Sequence, residues 1–509
     1  MFKDYIQNPI SSIPLRIDEK SEVSLVNTVV DWLDLGDLLW NCGRRWPKTY
    51  NPIWLLKILI YAYLKWIRSS NVIHELCIKH TDYRFLIWTN IPSARKIRDF
   101  RLVNTDNIKW YFVEVLKICS ELWLTKLWEI NIDWSKFKAN ASSKQTKTEE
   151  WIDKELIRLQ EKEDKLKAEI ESIFNEVETE EQKEKNKTVK EVLANNKVEL
   201  NEDRLKAINS QKILETIKNR KIKLEESKKE MKKRWLEKIN ITDNDAKFMK
   251  TSEWKIKPAY NIQISSNNQV IQDYDATDRP TDINDYQNMI EWTEENTWKK
   301  TEKVNADAWY SSENNLEYNE KNNINWRIPD TKYYRLKKWD LNKFDKDNFV
   351  YDKEKDVYIC PYKKELTYKW ERKDWNKIKL KYQSNKKDCE KCEWKKECLK
   401  SRIWKTKELF IAKRHEELKD NMRKKLDKEP EEYQKRMYDV EPIFWNLKHN
   451  MWFRSFIMHW FSWAKKEIWF MALAHNLKKL YKYVEKKWNF SAIGEMCLKN
   501  SQSIQMRII

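Results

Sequence analysis

The sequence predicts an α/β protein, with a mixed-sheet core, a helical amino-terminal region, a long helical insertion and a small cysteine-bearing insertion. Three patterns predict this class. Short strand-like segments alternate with helical ones, and two of them end on aspartate, at Asp133 and Asp307. Residues 152–234 contain no Gly, Pro or Trp and repeat apolar residues at heptad spacing, as in a coiled coil. Four cysteines lie between positions 360 and 398 in a polar stretch.

Composition limits the class of protein further. The chain has 509 residues, 36% of them charged, and a net charge of +19. Such a charge suits a protein that follows a phosphate backbone, and it also suits a membrane-surface protein. The first 16 residues lack the apolar core of a signal peptide, and no apolar stretch reaches 18 residues. We therefore expect no membrane partner and a cytoplasmic location.

The chain is rich in tryptophan and poor in glycine, with 28 Trp and 3 Gly. Average proteins contain about 7% Gly. Several Trp occupy positions typical of glycine, such as Trp66, which follows an apolar helix where a left-handed residue is expected. Our hypothesis is that most Trp stand for Gly in the native protein, for instance through a stop codon that the host reads as Gly. The alternative is a genuinely Trp-rich protein.

Residues 1–120 are predicted to be helical. Pro52 begins an apolar helix, shorter helices follow at 69–79 and 82–87, and Pro92-Ser93 precede a basic helix. That basic helix carries Arg95, Lys96, Arg98 and Arg101. Short helices with a basic last member favour a helix-turn-helix-like DNA contact. The alternative is a small helical packing domain with a solvated basic face.

The rest of the chain divides by pattern. Residues 121–145, 240–330 and 411–490 are assigned to the α/β core, and 491–509 to a carboxy-terminal tail. Residues 146–239 form the coiled-coil insertion, most simply a helical hairpin interrupted near Asn195-Asn196. Its simplest role is a solvated spacer or a dimer strut. Strands flank a hairpin turn at Asn267-Asn268, and residues 331–410 form the cysteine-bearing insertion.

Three acids are distinguished by their positions. Asp133 and Asp307 each end a predicted strand, and Glu441 lies on a later helix. Strand ends in an open mixed sheet place side chains at one edge, where a helix can present a third carboxylate. Three such acids can hold two divalent cations about 3.5–4 Å apart for in-line attack on a phosphodiester. Their hard oxygen ligands suit Mg²⁺ or Mn²⁺.

Four motifs carry a family resemblance, in order along most of the chain. Residues 132–142 read Ile-Asp-Trp-Ser-Lys-Phe-Lys-Ala-Asn-Ala-Ser, and residues 306–311 read Ala-Asp-Ala-Trp-Tyr-Ser. Tyr433, Arg436, Glu441 and Lys448 follow, and then Ala-His-Asn-Leu at 474–477. These segments resemble the Asp-Gly-Thr-Lys, Ala-Asp-Ala-Gly-Tyr, tyrosine–arginine–glutamate–lysine and last-helix motifs of bacterial insertion-sequence DDE transposases. Trp134, Trp309 and Trp445 stand where that family has Gly.

The resemblance implies a ribonuclease-H-like core with Asp133, Asp307 and Glu441 as the catalytic, metal-binding acids. By the same mapping Arg436 and Lys448 contact DNA phosphates, and Tyr433 helps to position the terminal nucleotides. Arg436 has an equally good alternative role as a structural partner of the acids. The implied reaction cuts double-stranded DNA at the element ends and joins the freed 3′-hydroxyl to target DNA, with a homodimer bound to the DNA. The competing interpretations are a non-catalytic DNA-binding scaffold and a related nuclease.

The cysteines allow two interpretations. Cys389 and Cys392 form a close pair that suits structural Zn²⁺, with Cys360 and Cys398 as the other ligands. The alternative is four reduced thiols without a metal. The isolated residues Cys42, Cys77, Cys119 and Cys497 are predicted to be apolar fillers. His475 and Asn476 are predicted to serve packing and capping, not catalysis.

Overall fold

The computed structural model describes residues 17–36, 38–39, 50–87, 90–104, 107–184, 202–251, 255–279, 283–338, 342–374, 377–399 and 405–487. The predicted hairpin interruption near Asn195-Asn196, Cys42, Cys497 and the predicted tail lie outside these residues. The described helices are α1 (Glu22–Trp32), α2 (Pro52–Leu64), α3 (Ser70–Lys79), α4 (Thr81–Ile87), α5 (Ala94–Asn104), α6 (Ile108–Glu121), α7 (Glu149–Glu184), α8 (Glu202–Lys233), α9 (Tyr286–Thr297), α10 (Glu313–Lys321), α11 (Tyr333–Lys337), α12 (Lys386–Glu390), α13 (Lys395–Cys398), α14 (Lys413–Lys428), α15 (Pro430–Trp445) and α16 (Phe461–Lys487).

The strands form a mixed α/β architecture together with these helices. They are β1 (Glu129–Lys138), β2 (Thr146–Thr148), β3 (Lys238–Asn240), β4 (Lys247–Lys250), β5 (Ile256–Asn267), β6 (Val270–Thr277), β7 (Lys303–Ala306), β8 (Asn325–Arg327), β9 (Val350–Asp352), β10 (Val357–Ile359), β11 (Glu365–Asp374), β12 (Lys377–Ser384) and β13 (Glu408–Ile411).

The central sheet is mixed, as the sequence predicts. Its order is β4-β5-β1-β7-β8, and β6 pairs with β5. β1 runs antiparallel to β5 and parallel to β7, and β7 runs parallel to β8. β1 is longer than predicted, because it continues five residues past Asp133 to Lys138. The β5–β6 turn is at Asn268 and Gln269, both left-handed, one residue beyond the predicted turn.

The amino-terminal helices share one hydrophobic core with a face of the central sheet and with α16. Helix α2 is apolar on nearly every side, so it is buried along most of its length. Pro52 occupies its first turn, and the Asn51 side chain accepts from the Ile53 N–H at 2.9 Å. The Arg68 guanidinium pairs with the buried Glu467 of α16 at 2.8 Å. These contacts fix the helical region against the sheet.

The long insertion is a helical hairpin, as the heptads predict. Helices α7 and α8 run antiparallel, because Lys228 pairs with Asp153 while Lys221 pairs with Glu163. Its own apolar core includes Ile152, Leu159, Ile217, Leu224 and Met231. The hairpin is connected to the rest of the protein by the short β2–β3 ribbon, in which Thr146 pairs with Asn240. It is therefore attached at one place.

The cysteine-bearing segment contains a sheet that the sequence interpretation did not resolve into strands. Five antiparallel strands pair in the order β13-β12-β11-β10-β9. Their small core comprises Phe349, Leu366, Tyr382, Leu409 and Ile411. Most remaining positions of β11 are polar and exposed, so the usual contrast between a buried and a solvated face is weak.

Tryptophan occupies backbone conformations that ordinarily belong to glycine. In the described part of the chain eleven non-glycine residues have positive φ, and six of them are Trp: Trp66, Trp123, Trp235, Trp298, Trp452 and Trp460. Trp66 confirms the conformation that the sequence predicts for it, with φ 65°. Its N–H donates to the Tyr63 carbonyl, and the Ile67 N–H donates to the Ala62 carbonyl. That bond pair is the Schellman motif, whose left-handed residue is usually Gly.

The same motif recurs at Trp123 and Trp235, which end α6 and α8. Their side chains are 82% and 94% exposed, so burial of the indole offsets little of the backbone strain. Trp134, Trp309 and Trp445 have no positive φ. The hypothesis that these three Trp stand for Gly therefore rests on the family motif alone. No helix in the described part of the chain is long and apolar enough to cross a membrane.

Candidate active site

The three predicted acids meet on one face of the central sheet. In the parallel pair of β1 and β7, Asn131 lies opposite Asn305 and Ile132 lies opposite Ala306. Asp133 and Asp307 come next in this register. Because alternate residues of a strand share a face, both acids lie on the same side as the two asparagines. Helix α15 covers that side and carries Glu441.

One guanidinium lies among the three carboxylates. Arg436 of α15 has Nη1 3.2 Å from the Asp133 carboxylate, and Nη2 4.0 Å from that of Asp307 and 3.9 Å from that of Glu441. The arginine side chain is 8% exposed, whereas that of Glu441 is 49% exposed. The three carboxylates thus lie close together around a buried guanidinium. The cluster is open to solvent on the side of Glu441. This favours the structural alternative for Arg436 over direct phosphate contact.

The acid cluster carries excess negative charge. Burial raises the pKa of Asp133 to about 6, even though the Arg436 guanidinium lowers it, and the Asp307 and Glu441 carboxylates raise it further. The same acids hold the pKa of Arg436 above its usual range, against the effect of its burial. Three carboxylates against one guanidinium leave a site that favours additional positive charge.

A chain of buried side-chain hydrogen bonds joins the three elements that carry the acids. Asn305 Nδ2 donates to Asn131 Oδ1 at 2.8 Å, and Asn131 Nδ2 donates to the Asp439 carboxylate. Each member lies two residues before one of the acids. Asn131 precedes Asp133 on β1, Asn305 precedes Asp307 after β7, and Asp439 precedes Glu441 on α15. We call this set the amide chain.

Asp439 also fixes the β5–β6 turn. Its carboxylate accepts from the Asn268 N–H at 3.0 Å, the Gln269 N–H at 2.5 Å and the Ser266 hydroxyl at 3.2 Å. Burial raises the pKa of Asp439, and these donors lower it. The sequence interpretation missed the amide chain. The recurring spacing of two residues before each acid is the signal that could have revealed it.

Helix α15 is irregular immediately after Glu441. Pro442 lies inside the helix and has no N–H for the Tyr438 carbonyl. The Gln269 side chain donates to that carbonyl instead, at 3.0 Å. A π-helical turn, Asn446–Asn450, then follows the end of α15. Such turns are frequent at functional sites, and this one carries Lys448.

Lys448 lies beside the acids, although it is not on the helix proper. Its Nζ donates to the Ser135 hydroxyl at 2.5 Å, and Ser135 shares the β1 face of Asp133. Burial lowers the pKa of Lys448 to about 8, and the Asp133 carboxylate opposes that shift. The Lys448 ammonium is therefore close enough to the acids for one charged ligand to contact both.

Two family models match the chain. The model described as transposase DDE domain matches residues 359–481, which include Arg436, Glu441 and Lys448, and the model described as transposase domain (DUF772) matches residues 12–102. The two matches support a DDE transposase of the insertion-sequence type. No curated protein and no solved structure matches it. Transposases act on DNA, and those of the DDE class use divalent metal ions.

The three acids fit such ions by their chemistry. Three carboxylates supply the hard oxygen ligands that Mg²⁺ and Mn²⁺ prefer. Arg436 Nε and Nη1 are buried without a hydrogen-bond acceptor, so charge attraction to the three acids contributes to holding the guanidinium in place. In the arrangement described, no group of three or more His, Cys, Asp or Glu side chains could hold a metal ion.

Two of the residues predicted to contact DNA are buried. Tyr433 is 5% exposed and belongs to the core beneath β1 and β7. Its ring lies 5.8 Å from the Arg436 guanidinium, so it packs against the arginine and does not face terminal nucleotides. Arg101 is 6% exposed and donates to the Arg68 carbonyl and the Ser70 hydroxyl. Their burial favours packing roles, because in a helix residue type alone does not tell the inner face from the outer, and both DNA contacts stay predictions.

The other basic residues of α5 lie at the surface. Arg95 and Arg98 are exposed, and Lys96 is partly exposed. Both arginines approach Asp99, at 3.7 and 3.6 Å. Their predicted DNA contact stays a prediction.

His475 and Asn476 have structural roles, as predicted. The Asn476 side chain accepts from the Ile271 N–H at 2.9 Å and donates to the Ile271 carbonyl at 2.8 Å. A ring nitrogen of His475 lies 2.9 Å from the Gln269 carbonyl. Both residues therefore hold α16 against the β5–β6 turn that Asp439 also contacts.

The four clustered cysteines are partly exposed and free of disulfides. Burial raises the pKa of Cys398, and the thiols of Cys389, Cys392 and Cys360 raise it further, so the four groups are neighbours. The Lys364 N–H donates to the Cys360 sulfur at 3.3 Å. Cys77 and Cys119 are buried, as predicted for apolar fillers.

Proposed function

We propose that this transposase cuts DNA at the ends of its element and joins the freed 3′-hydroxyl to target DNA. The observation that carries the proposal is the convergence of Asp133, Asp307 and Glu441, from β1, β7 and α15, within 4.0 Å of one guanidinium. Asp133, Asp307 and Glu441 would hold Mg²⁺ or Mn²⁺. The parallel β1–β7 pair, in which an acid directly follows the last paired residue of each strand, supports a ribonuclease-H-like core.

The bound ions would supply an activated water and charge stabilisation at the phosphodiester. Arg436 and Lys448 would hold the acids and the substrate in position. Arg436 holds the acids together until DNA and metal arrive, and it keeps Asp133 ionised against the effect of burial. Lys448 lies close enough to Asp133 to contact a phosphate that the acids hold. No nucleophilic Ser, Cys or Tyr is needed.

The experiment is an assay of cleavage and strand transfer with D133A, D307A and E441A. Each variant is expected to lose activity by at least a hundredfold while DNA affinity falls little, because each removes a ligand of the ions that activate the attack (on the order of 10² or more for a lost electrostatic stabiliser). E225A, at an exposed acid of α8, is the matched control.

Three outcomes separate the candidate functions. Unchanged activity in the three variants would refute the acid assignment. Cleavage without joining by the wild-type protein would indicate a nuclease. DNA binding without either reaction would indicate a scaffold.

We also propose that the cysteine sheet binds structural Zn²⁺ through Cys360, Cys389, Cys392 and Cys398. The proximity of the other three thiols to Cys398 supports this. Zinc binding would require the thiols to rearrange, since no group among the described residues could hold a metal ion as it stands. Zinc content near one ion per purified chain distinguishes this site from four reduced thiols.

A further inference from the structure

One edge of β1 is open beside the acid cluster. β5 pairs with β1 from Asn131 to Lys138, whereas β7 pairs only as far as Ile132. Among the described residues no strand continues that edge beyond Asp133. At Lys138 the chain segment of Arg454 closes it, because the Lys138 N–H donates to the Arg454 carbonyl at 3.2 Å. An interval of free strand edge therefore begins at the catalytic acids.

Three adjoining cavities follow this edge. The middle one has a volume of about 390 Å³ and is lined by Lys136, Lys138, Lys257, Lys448 and Arg454, among others, without any carboxylate. It shares Lys448 and His449 with a cavity that reaches Glu441, and it shares Lys138 and Lys257 with one that reaches Asn140 and Lys144. Together the cavities form a continuous basic groove, running from Glu441 to Lys144.

Aromatic rings lie close to three cations of the basic groove. The ammonium groups of Lys136 and Lys448 lie 5.0 and 4.8 Å from the Trp134 and Phe137 rings, and the Arg454 guanidinium lies 4.6 Å from the Trp452 ring. On the helical hairpin, by contrast, Lys221 and Lys228 pair with acids of the opposite helix. Among the described residues, no salt bridge joins Lys136, Lys138, Lys144 or Arg454 to an acid, so these four side chains keep their positive charge in the groove.

The length of the row suits a nucleic-acid backbone. From Asp133 to Asn140 the chain spans about 23 Å at roughly 3.3 Å per residue. One strand of duplex DNA presents a phosphate about every 3.4 Å of helix axis. One end of the groove lies at the acids, where a scissile phosphate would bind. An acidic peptide or a lipid surface would have no reaction to undergo there.

We propose that the basic groove binds the backbone of duplex DNA directly flanking the scissile phosphate. The inference rests on the proposed function and adds to it the path of the substrate: along the free edge of β1, from Glu441 towards Lys144. Lys136, Lys138, Lys144 and Arg454 are the phosphate contacts. They bind and orient DNA and take no part in the bond-breaking step.

The test measures the salt dependence of DNA affinity with the full-length chain and a labelled duplex of arbitrary sequence. The variant K136Q/K138Q/K144Q is expected to reduce the slope of log affinity against log salt by about 2.7, since each lost phosphate contact removes about 0.9. The control K212Q/K218Q/K229Q removes the same charge from exposed positions of α8 and is expected to leave the slope unchanged.

An independent variant guards against misfolding of the triple variant. R454Q alters one exposed side chain and is expected to lower the slope by about 0.9. Wild-type slopes in both groove variants would overturn the proposal, as would an equal fall in the α8 control. If the protein cuts and joins DNA but the groove variants keep the wild-type slope, DNA binding by the groove is refuted and the proposed function stands. If only the groove variants change the slope but the protein neither cuts nor joins DNA, the proposed function is refuted and DNA binding by the groove stands.

Discussion

Arg436 meets carboxylates from three different elements, and its position has consequences at the scale of single residues. Removing a cation from a cluster of acids leaves uncompensated buried charge, whereas bringing in divalent ions relieves it. The arginine is therefore best understood as the cation of the metal-free site. Tyr433 supports it from beneath, at 5.8 Å from the guanidinium.

The left-handed tryptophans lead to a prediction about stability. W123G and W235G are each expected to raise the free energy of unfolding by about 1 kcal/mol, because a left-handed residue with a Cβ costs roughly 1–2 kcal/mol and the exposed indoles lose little burial. Denaturant unfolding measures the change. W309G, which replaces a 59% exposed Trp without positive φ, is the control and is expected to give no gain. Stabilisation by all three variants, or by none, would contradict the strain argument.

At the scale of elements, α15 is positioned by the amide chain. D439N keeps the side-chain shape but places an NH₂ group against donors from Asn268, Gln269 and Asn131. We expect the free energy of unfolding to fall by about 1–3 kcal/mol, the cost of a buried unsatisfied donor. The cleavage rate should also fall more steeply than DNA affinity, since Glu441 follows two residues later on the same helix.

Rates at saturating DNA, together with binding measurements, would detect this split. E431Q, at an exposed acid of the first turn of α15, provides the comparison. If D439N were destabilised but cleaved at the wild-type rate, the amide chain would be a purely structural element.

Local patterns predicted the elements better than they predicted the pairing between elements. The three acids could be singled out in advance because Asp133 and Asp307 each follow a short strand-like segment and Glu441 stands within a motif. The extension of β1 to Lys138 could not be predicted from the sequence, because Trp134 and Lys136 leave that segment without a regular alternation of apolar and polar residues. The burial of Arg101 and Tyr433 depends on contacts with distant segments, which no local pattern contains.

At the scale of the molecule, the helical hairpin is an appendage with its own core. Deleting residues 149–233 leaves residues 234–237 as a short connection between β2 and β3, which already pair. We expect the remaining chain to fold with a thermal midpoint within a few degrees of the wild type, because the main cores lie elsewhere. Thermal unfolding checks this, and an unfolded or aggregated product would contradict it.

The same deletion tests the strut role. We propose a homodimer on DNA, and size measurements of the DNA complex would show whether the hairpin joins its subunits. A dimeric complex without the hairpin would leave it as a spacer.

The six left-handed tryptophans also bear on the host range of the element. If its gene is written for a cell that inserts glycine at these codons, a cell with the standard code would produce a strained protein. Six strained positions at roughly 1–2 kcal/mol each would approach the whole stability of a typical domain, about 5–15 kcal/mol. Horizontal transfer would then deliver a gene whose product folds poorly in the new cell. The genetic code itself would confine the element to lineages that share its decoding.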